Sequence, residues 1–190
     1  DSLFKRAIII NEELKVPQRL FVNYNNLSVN YAHKKDYNKA LEYAFLAVHQ
    51  LDATKDSDMI ILMQRNIGSI YLKQKEPRMA LQLLKQVEEY QLKHHQEYYL
   101  TGTYLIMTNV YNLLEQKEMV GNYLKKALAL SDKYNNVYDK KVLLVELSNY
   151  YEGIGQHRTA FEMLKQSMAL KDSLYNSEEE ERTRNLSGAY

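Results

Sequence analysis

The sequence predicts an all-α fold, a solenoid of antiparallel helix pairs with a forty-residue period, and three observations carry that prediction. Tyr31, Tyr71, Tyr111 and Tyr151 stand forty residues apart with no insertion between them. The same step joins Ala40, Ala80, Val120 and Ala160, and again Leu27, Ile67, Met107 and Leu147. Two Pro and six Gly in 190 residues, against long runs of Leu, Ala, Lys, Glu, Gln and Met, favour helix over strand and turn. A fixed period of this size marks one supersecondary unit that buries its face on its neighbours.

The elements follow in chain order. Leu3, Ala7, Ile8 and Ile10 begin a helix ending near Pro17, read as the second helix of a truncated preceding unit over residues 1–16. Four units come next, at 17–55, 56–95, 96–135 and 136–175, each with two amphipathic helices. Their expected spans are 18–33 with 37–54, 58–74 with 77–94, 97–115 with 118–135, and 138–153 with 157–175. In the second unit Ile60, Met63, Ile67, Ile70 and Tyr71 recur at helical spacing. Glu76-Pro77 ends that helix and opens the next, since Pro is tolerated where a first-turn N–H has no partner. Asp36, Glu76, Gln116 and Gln156 share one place at the start of each second helix, and Asp36 is a good N-cap there. Gly153 and Gly155 mark the bend of the last unit. Residues 176–190, with Glu178 to Glu181 followed by Arg182 and Arg184, read as a charged tail or the start of a connecting helix.

Composition excludes several classes. Lys plus Arg total 25 against 24 Asp plus Glu, a formal charge of +1, so there is no basic excess for neutralising nucleic-acid phosphates. Without cysteine there are no disulfides, thiolate metal sites or cysteine nucleophiles. The longest clean apolar run, Met59 to Met63, is far below the roughly 20 residues a membrane span requires. His94 and His95 are adjacent, so on a helix they point about 100° apart and cannot share one ion. They are expected near a helix end. No P-loop, dinucleotide-binding glycine motif or nucleophile elbow is present. The chain is therefore read as non-catalytic, with no cofactor and no metal. Of the 17 tyrosines, Tyr31, Tyr71, Tyr111 and Tyr151 are assigned to wedges between helices. Tyr98, Tyr99, Tyr104 and Tyr138 are assigned to packing stripes, and Tyr37, Tyr43 and Tyr90 are left as candidates for exposure.

The spaced residues resemble the tetratricopeptide repeat (TPR) signature: a large residue, Leu-Gly, Tyr, Ala, an aromatic or Leu, and Ala. Unit one gives Tyr24, Leu27-Ser28, Tyr31, Ala40, Ala44 and Ala47, and unit two gives Gln64, Ile67-Gly68, Tyr71, Ala80, Leu84 and Val87. Unit three gives Tyr104, Met107-Thr108, Tyr111, Val120, Leu124 and Ala127, and unit four gives Leu144, Leu147-Ser148, Tyr151, Ala160, Leu164 and Ser167. Small residues at 28, 68, 108 and 148 and at 40, 80, 120 and 160 are expected where paired helices cross closely. The usual TPR period is about 34 residues. The extra six are expected to lengthen the second helix and its following turn. The resemblance implies a right-handed superhelix with a binding groove lined by the first helix of each unit.

Carried position by position, that groove takes Asn25, Asn26 and His33 from unit one and Arg65, Asn66 and Lys73 from unit two. Units three and four supply Asn109 and Asn112, then Asn149 and Glu152. Asn both donates and accepts, so it can hold a peptide backbone without reading its sequence. Arg65 and Lys73 would take an acidic group. The clamp that grips chaperone C-termini resembles little here, because Asn25, Val29, Gly102 and Ile106 replace its groups and only Asn66 matches. The segment Ala169 to Glu179 is similar to the close of TPR sensor regions in bacterial membrane-bound histidine kinases and transcription regulators. That resemblance implies a sensor or regulatory module on the extracytoplasmic (periplasmic) side of an inner membrane, with the membrane reached only through other segments. The alternative is a cytoplasmic TPR adaptor or assembly scaffold. Either way the expected partner is a protein or peptide in the concave groove, not nucleic acid. A homodimer through the terminal helices is a further option.

Overall fold

The computed structural model describes the backbone of residues 2–13, 16–52 and 55–187, and side-chain surroundings for 6–11, 16–52 and 55–173. Among the described residues every regular element is an α-helix. The helices are α1 (Ser2–Glu13), α2 (Pro17–His33), α3 (Tyr37–His49), α4 (Ser57–Lys73), α5 (Pro77–Lys93), α6 (Glu97–Leu113), α7 (Lys117–Lys133), α8 (Val137–Gly153) and α9 (His157–Ser187). They form two compact units. The first holds residues 1–96 with 109–115, and the second holds residues 97–108 with 116–190.

In the first unit α1 packs on α2, α2 on α3, α3 on α4 and α4 on α5. Its core gathers Leu20, Phe21, Tyr24 and Leu27 from α2, Ala40, Ala44 and Ala47 from α3, and Met63, Ile67 and Ile70 from α4. In the second unit α7 packs on α8 and α8 on α9, with Leu124, Leu143, Leu144 and Leu147 all but closed to solvent. Each such leucine contributes about 1.5–3 kcal/mol by leaving water. The alternation of small and large residues sets how closely paired helices approach. A methyl group on Gly68 would stand 3.1 Å from Leu84 Cγ, and Ala40 and Ala80 are completely buried. Ser148 Oγ donates to the Ala160 carbonyl at 2.8 Å and Ser167 Oγ to the Lys141 carbonyl at 3.0 Å, pinning α9 along α8.

Three-residue turns give the period its length. After α2, Lys34 caps the helix, Lys35 takes a left-handed φ of 63°, and Asp36 opens α3. Lys35 N–H donates to the Ala32 carbonyl at 3.1 Å and Asp36 N–H to the Tyr31 carbonyl at 3.0 Å. That pair of bonds is a Schellman motif, which satisfies carbonyls a helix end otherwise leaves bare. Lys75 with Glu76 repeats it on Leu72 and Tyr71, and Gly155 with Gln156 repeats it on Glu152 and Tyr151. Tyr31, Tyr71 and Tyr151 therefore have a backbone role: their carbonyls receive the bond that closes the hairpin. Their rings are less enclosed than a core wedge. Tyr111 is buried at 3% exposure, while Tyr31, Tyr71 and Tyr151 are half-buried. Tyr31 stacks on Tyr43 with ring centroids 5.3 Å apart, beneath the ammonium groups of Lys34 and Lys39.

Three expectations are corrected. The extra residues do not lengthen only the second helix, because α4, α5, α6, α7 and α8 are each 17 residues long. With the same short turns a 34-residue unit would hold helices of about 14 residues, so both members of the pair gain. Helix α3 stops at His49 rather than 54. The Asp56 carboxylate accepts from Asp52 N–H at 2.9 Å there, a local bond that competes with continuing the helix. Pro17 stands in the first turn of α2 instead of closing α1. Of the two readings of residues 176–190, the helical one holds through Ser187, because α9 runs 31 residues without a break.

Candidate functional site

Each first helix has an inward apolar stripe and an outward polar one. On α2, Leu20, Tyr24 and Leu27 point inward, leaving Asn25 and Asn26 half-buried and His33 exposed. On α4, Met63, Ile67 and Ile70 are buried, with Arg65 and Asn66 half-buried and Lys73 exposed. The end of α6 that belongs to the first unit shows Asn109 and Asn112 to solvent. In the second unit Asn149 and Glu152 are exposed on α8. Glu152 is already engaged, with its carboxylate 2.9 Å from His157 Nδ1 across the turn. Arg65 and Asn109 also make interactions within the protein.

Two features of this polar stripe escape sequence reading. The side-chain carbonyl oxygen of Asn25 is shut away from solvent and accepts no hydrogen bond, and the same holds for that of Gln64, which takes the inward place of Tyr24. Such a group costs about 1–3 kcal/mol while unmatched, and it is rare enough to need an explanation. The second feature is charge. Around the two hairpin turns of the first unit, Lys34, Lys35, Lys39, Lys73, Lys75 and Arg78 are exposed, against only Asp36 and Glu76. Gln74 Nε2 donates to Asn38 Oδ1 at 3.0 Å, tying these turns together. The near-neutral total had hidden this segregation.

Among the described residues the resolved ionisation shifts fall at helix ends. The Asp36 carboxyl lies below its usual range, chiefly because it accepts from Lys39 N–H at 3.3 Å. Lys39 is raised by the reciprocal bond to Asp36, and Lys133 by its bond to Glu97. Tyr90 is raised because its hydroxyl donates to Asp58 Oδ1 at 2.9 Å. These four groups serve as helix caps and end-to-end ties. Among the described residues no group of three His, Asp or Glu side chains could hold a metal ion.

The tyrosines divide differently from the expectation. Tyr104 is buried, as assigned. Tyr98, Tyr99 and Tyr138 are 57%, 54% and 58% exposed, so they do not belong to packing stripes. They occupy the first turns of α6 and α8, which project past the core. Tyr98 packs edge-on against Tyr99 and Tyr134. Tyr37, Tyr43 and Tyr90 are half-buried rather than exposed. His94 and His95 sit at the end of α5, as expected.

Antiparallel helix pairs, small residues at their crossings and a turn repeated every forty residues define a TPR-like α-solenoid. Such proteins offer extended faces to other proteins. No protein-family model matches the chain, and no curated protein matches it. Solved structures do. BtubC (BKLC) from P. vanneervenii superposes with a TM-score of 0.79 at 17% identity, covering 92% of this chain and 72% of that one. A kinesin light chain of Podosopora anserina, with nearly identical TPR-like repeats, gives 0.68 at 20% identity over 91% and 86%. MamA of Desulfovibrio magneticus RS-1, from residue 41 to its end, gives 0.63 at 16% identity over 90% and 93%. At these identities the likeness establishes the fold.

Proposed function

We propose that the chain binds an extended or helical peptide segment of a partner protein along the polar stripes of its first helices. Within the first unit Asn25, Asn26, Asn66 and Asn109 would hold the peptide backbone, while Arg65 and Lys73 would take an acidic side chain. The observation that carries this reading is the unmatched side-chain carbonyl oxygen of Asn25. A peptide that draws this amide outward supplies the N–H group it lacks. The cationic turns beside them favour an acidic ligand, by attraction that falls with salt.

The test begins with selection from a phage-displayed random peptide library, where acidic sequences are expected to enrich. Arg65→Ala is then expected to lower affinity for the selected peptide by about tenfold or more, the value of a charge-assisted hydrogen bond. Unchanged affinity in both Arg65→Ala and Asn109→Ala would refute the assignment.

The wider setting we propose is the sensor or regulatory region of a bacterial signalling or transcription-regulating protein, on the extracytoplasmic side. The unbroken α9 supports it, since a long helix suits transmission towards another domain. No helix among the described residues is long and apolar enough to cross a membrane, so any span would come from elsewhere in the gene. An apolar stretch of about 20 residues followed by a kinase or DNA-binding region downstream is the expected reading of the coding sequence. A stop codon, or a further repeat, would favour the adaptor instead.

A further inference from the structure

The two hairpin turns of the first unit form one edge. Gln74 Nε2 donates to Asn38 Oδ1 at 3.0 Å, so the turn after α4 stands against the start of α3. Schellman bonds fix each backbone, through Lys35 and Asp36 in one turn and Lys75 and Glu76 in the other. Six exposed cations gather here: Lys34, Lys35 and Lys39 around the first turn, and Lys73, Lys75 and Arg78 around the second. The carboxylates beside them are Asp36, Glu76 and, one turn further into α3, Glu42. Asp36 is taken up by Lys39, whose ammonium lies 3.2 Å from it. Among the described residues Lys35, Lys73, Lys75 and Arg78 have no ion-pair partner. The pattern stops at the next turn, where Glu115 takes the left-handed place held by Lys35 and Lys75.

The cations are interleaved with amphipathic groups. Lys34 and Lys39 hold their ammonium groups over the Tyr31 ring, 5.4 and 5.3 Å from its centroid. Met79, 45% exposed, follows Arg78 in the first turn of α5. Long basic side chains beside an aromatic ring and a thioether match the headgroup layer of a bilayer, where phosphate meets the acyl boundary. A single acidic side chain would neutralise one of these cations, whereas a charged plane meets all of them at once. We propose that this edge docks on an anionic phospholipid surface. Such a contact needs no membrane-spanning helix. It goes beyond the peptide reading, in which only Lys73 of the six touches the ligand. Each basic group close to such a surface raises affinity about fivefold. The excess of three positive charges on this edge therefore gives about a hundredfold preference for anionic over neutral bilayers.

Cosedimentation of the full chain with large unilamellar vesicles tests it. Vesicles of equal parts phosphatidylglycerol and phosphatidylcholine are expected to bind about a hundredfold more tightly than phosphatidylcholine alone, with the difference shrinking as salt is raised. Lys35→Gln with Lys75→Gln is expected to weaken that binding about 25-fold. Lys55→Gln with Lys93→Gln removes the same net charge at the unit's opposite edge, where Tyr90 and Gln96 donate to Asp58, and is expected to change it less than about twofold. Helical circular dichroism should be unchanged in both pairs. Equal binding to the two kinds of vesicle overturns the proposal, as do equal losses in the two variants. A chain that ignores anionic vesicles while the Lys35 and Lys75 pair loses a library-selected acidic peptide overturns it too, and gives the turns to the peptide.

Discussion

Lys35, Lys75 and Glu115 hold φ at 63°, 62° and 57°, each in the middle of a hairpin turn. A side chain in the left-handed region crowds the following carbonyl, at roughly 1–2 kcal/mol. Glycine escapes that strain but loses more backbone entropy on folding, about 0.5–1 kcal/mol. Replacing any one of the three by Gly is therefore expected to stabilise by about 0.5–1 kcal/mol. All three side chains are exposed, so little else is lost. The sites are a full repeat apart and should add, giving about 1.5–3 kcal/mol for the triple variant. At this chain length that is a rise of roughly 4–10 °C in Tm. Urea unfolding followed by circular dichroism should show a higher midpoint with unchanged slope. The mirror experiment is Gly155→Ala, where φ is 77° and stability is expected to fall by about 1 kcal/mol. A triple glycine variant no more stable than the parent would show that these turns are not left-handed.

Other outcomes follow from the packing and the caps. A methyl group on Gly121 would lie 2.7 Å from Tyr150 Cε1 and nearer still to its hydroxyl end, so Gly121→Ala is expected to cost about 1–3 kcal/mol. In a Tyr150→Ala background the same change should reverse sign and stabilise by about 1 kcal/mol through helix propensity, which a double-mutant cycle would read. Asp36→Ala should lower Tm at neutral pH. Because the folded-state pKa of Asp36 is depressed, its contribution is present above the unfolded value near 3.9 and is lost as pH falls through the folded value. The Tm difference between Asp36→Ala and wild type should therefore shrink as pH is taken below about 4, and a difference independent of pH would contradict the cap.

The repeat was legible because its buried positions admit few residue types. Ala40, Ala80 and Ala160 tolerate no bulk at their crossings, and Leu27, Met107 and Leu147 must fill the core. The turns were not legible, since Lys35, Lys75 and Glu115 occupy a glycine's conformation without being glycine; only Gly155 advertises it. The exposed tyrosines misled for a related reason. Tyr98 and Tyr138 keep apolar helical spacing, but they lie in a helix's first turn, beyond the reach of the core. The length of α9 follows from the absence of Gly and Pro between His157 and Ser187, a signal that was present and outweighed by the charge run. For the candidate site, the sequence named the polar positions of the first helices. It did not show that Glu152 is drawn to His157 or that the Asn25 carbonyl lacks a donor, because both depend on where a neighbouring turn or helix lies.

The central claim is that partner binding belongs to the polar stripes of the first helices and not to the second helices. Nuclear magnetic resonance of the labelled chain, titrated with a library-selected peptide, tests it most directly. The side-chain amides of Asn25, Asn26 and Asn66 and the backbone of α2 and α4 are expected to shift together on saturation. Shifts confined to α3 and α5, with those three amides unmoved, would contradict it.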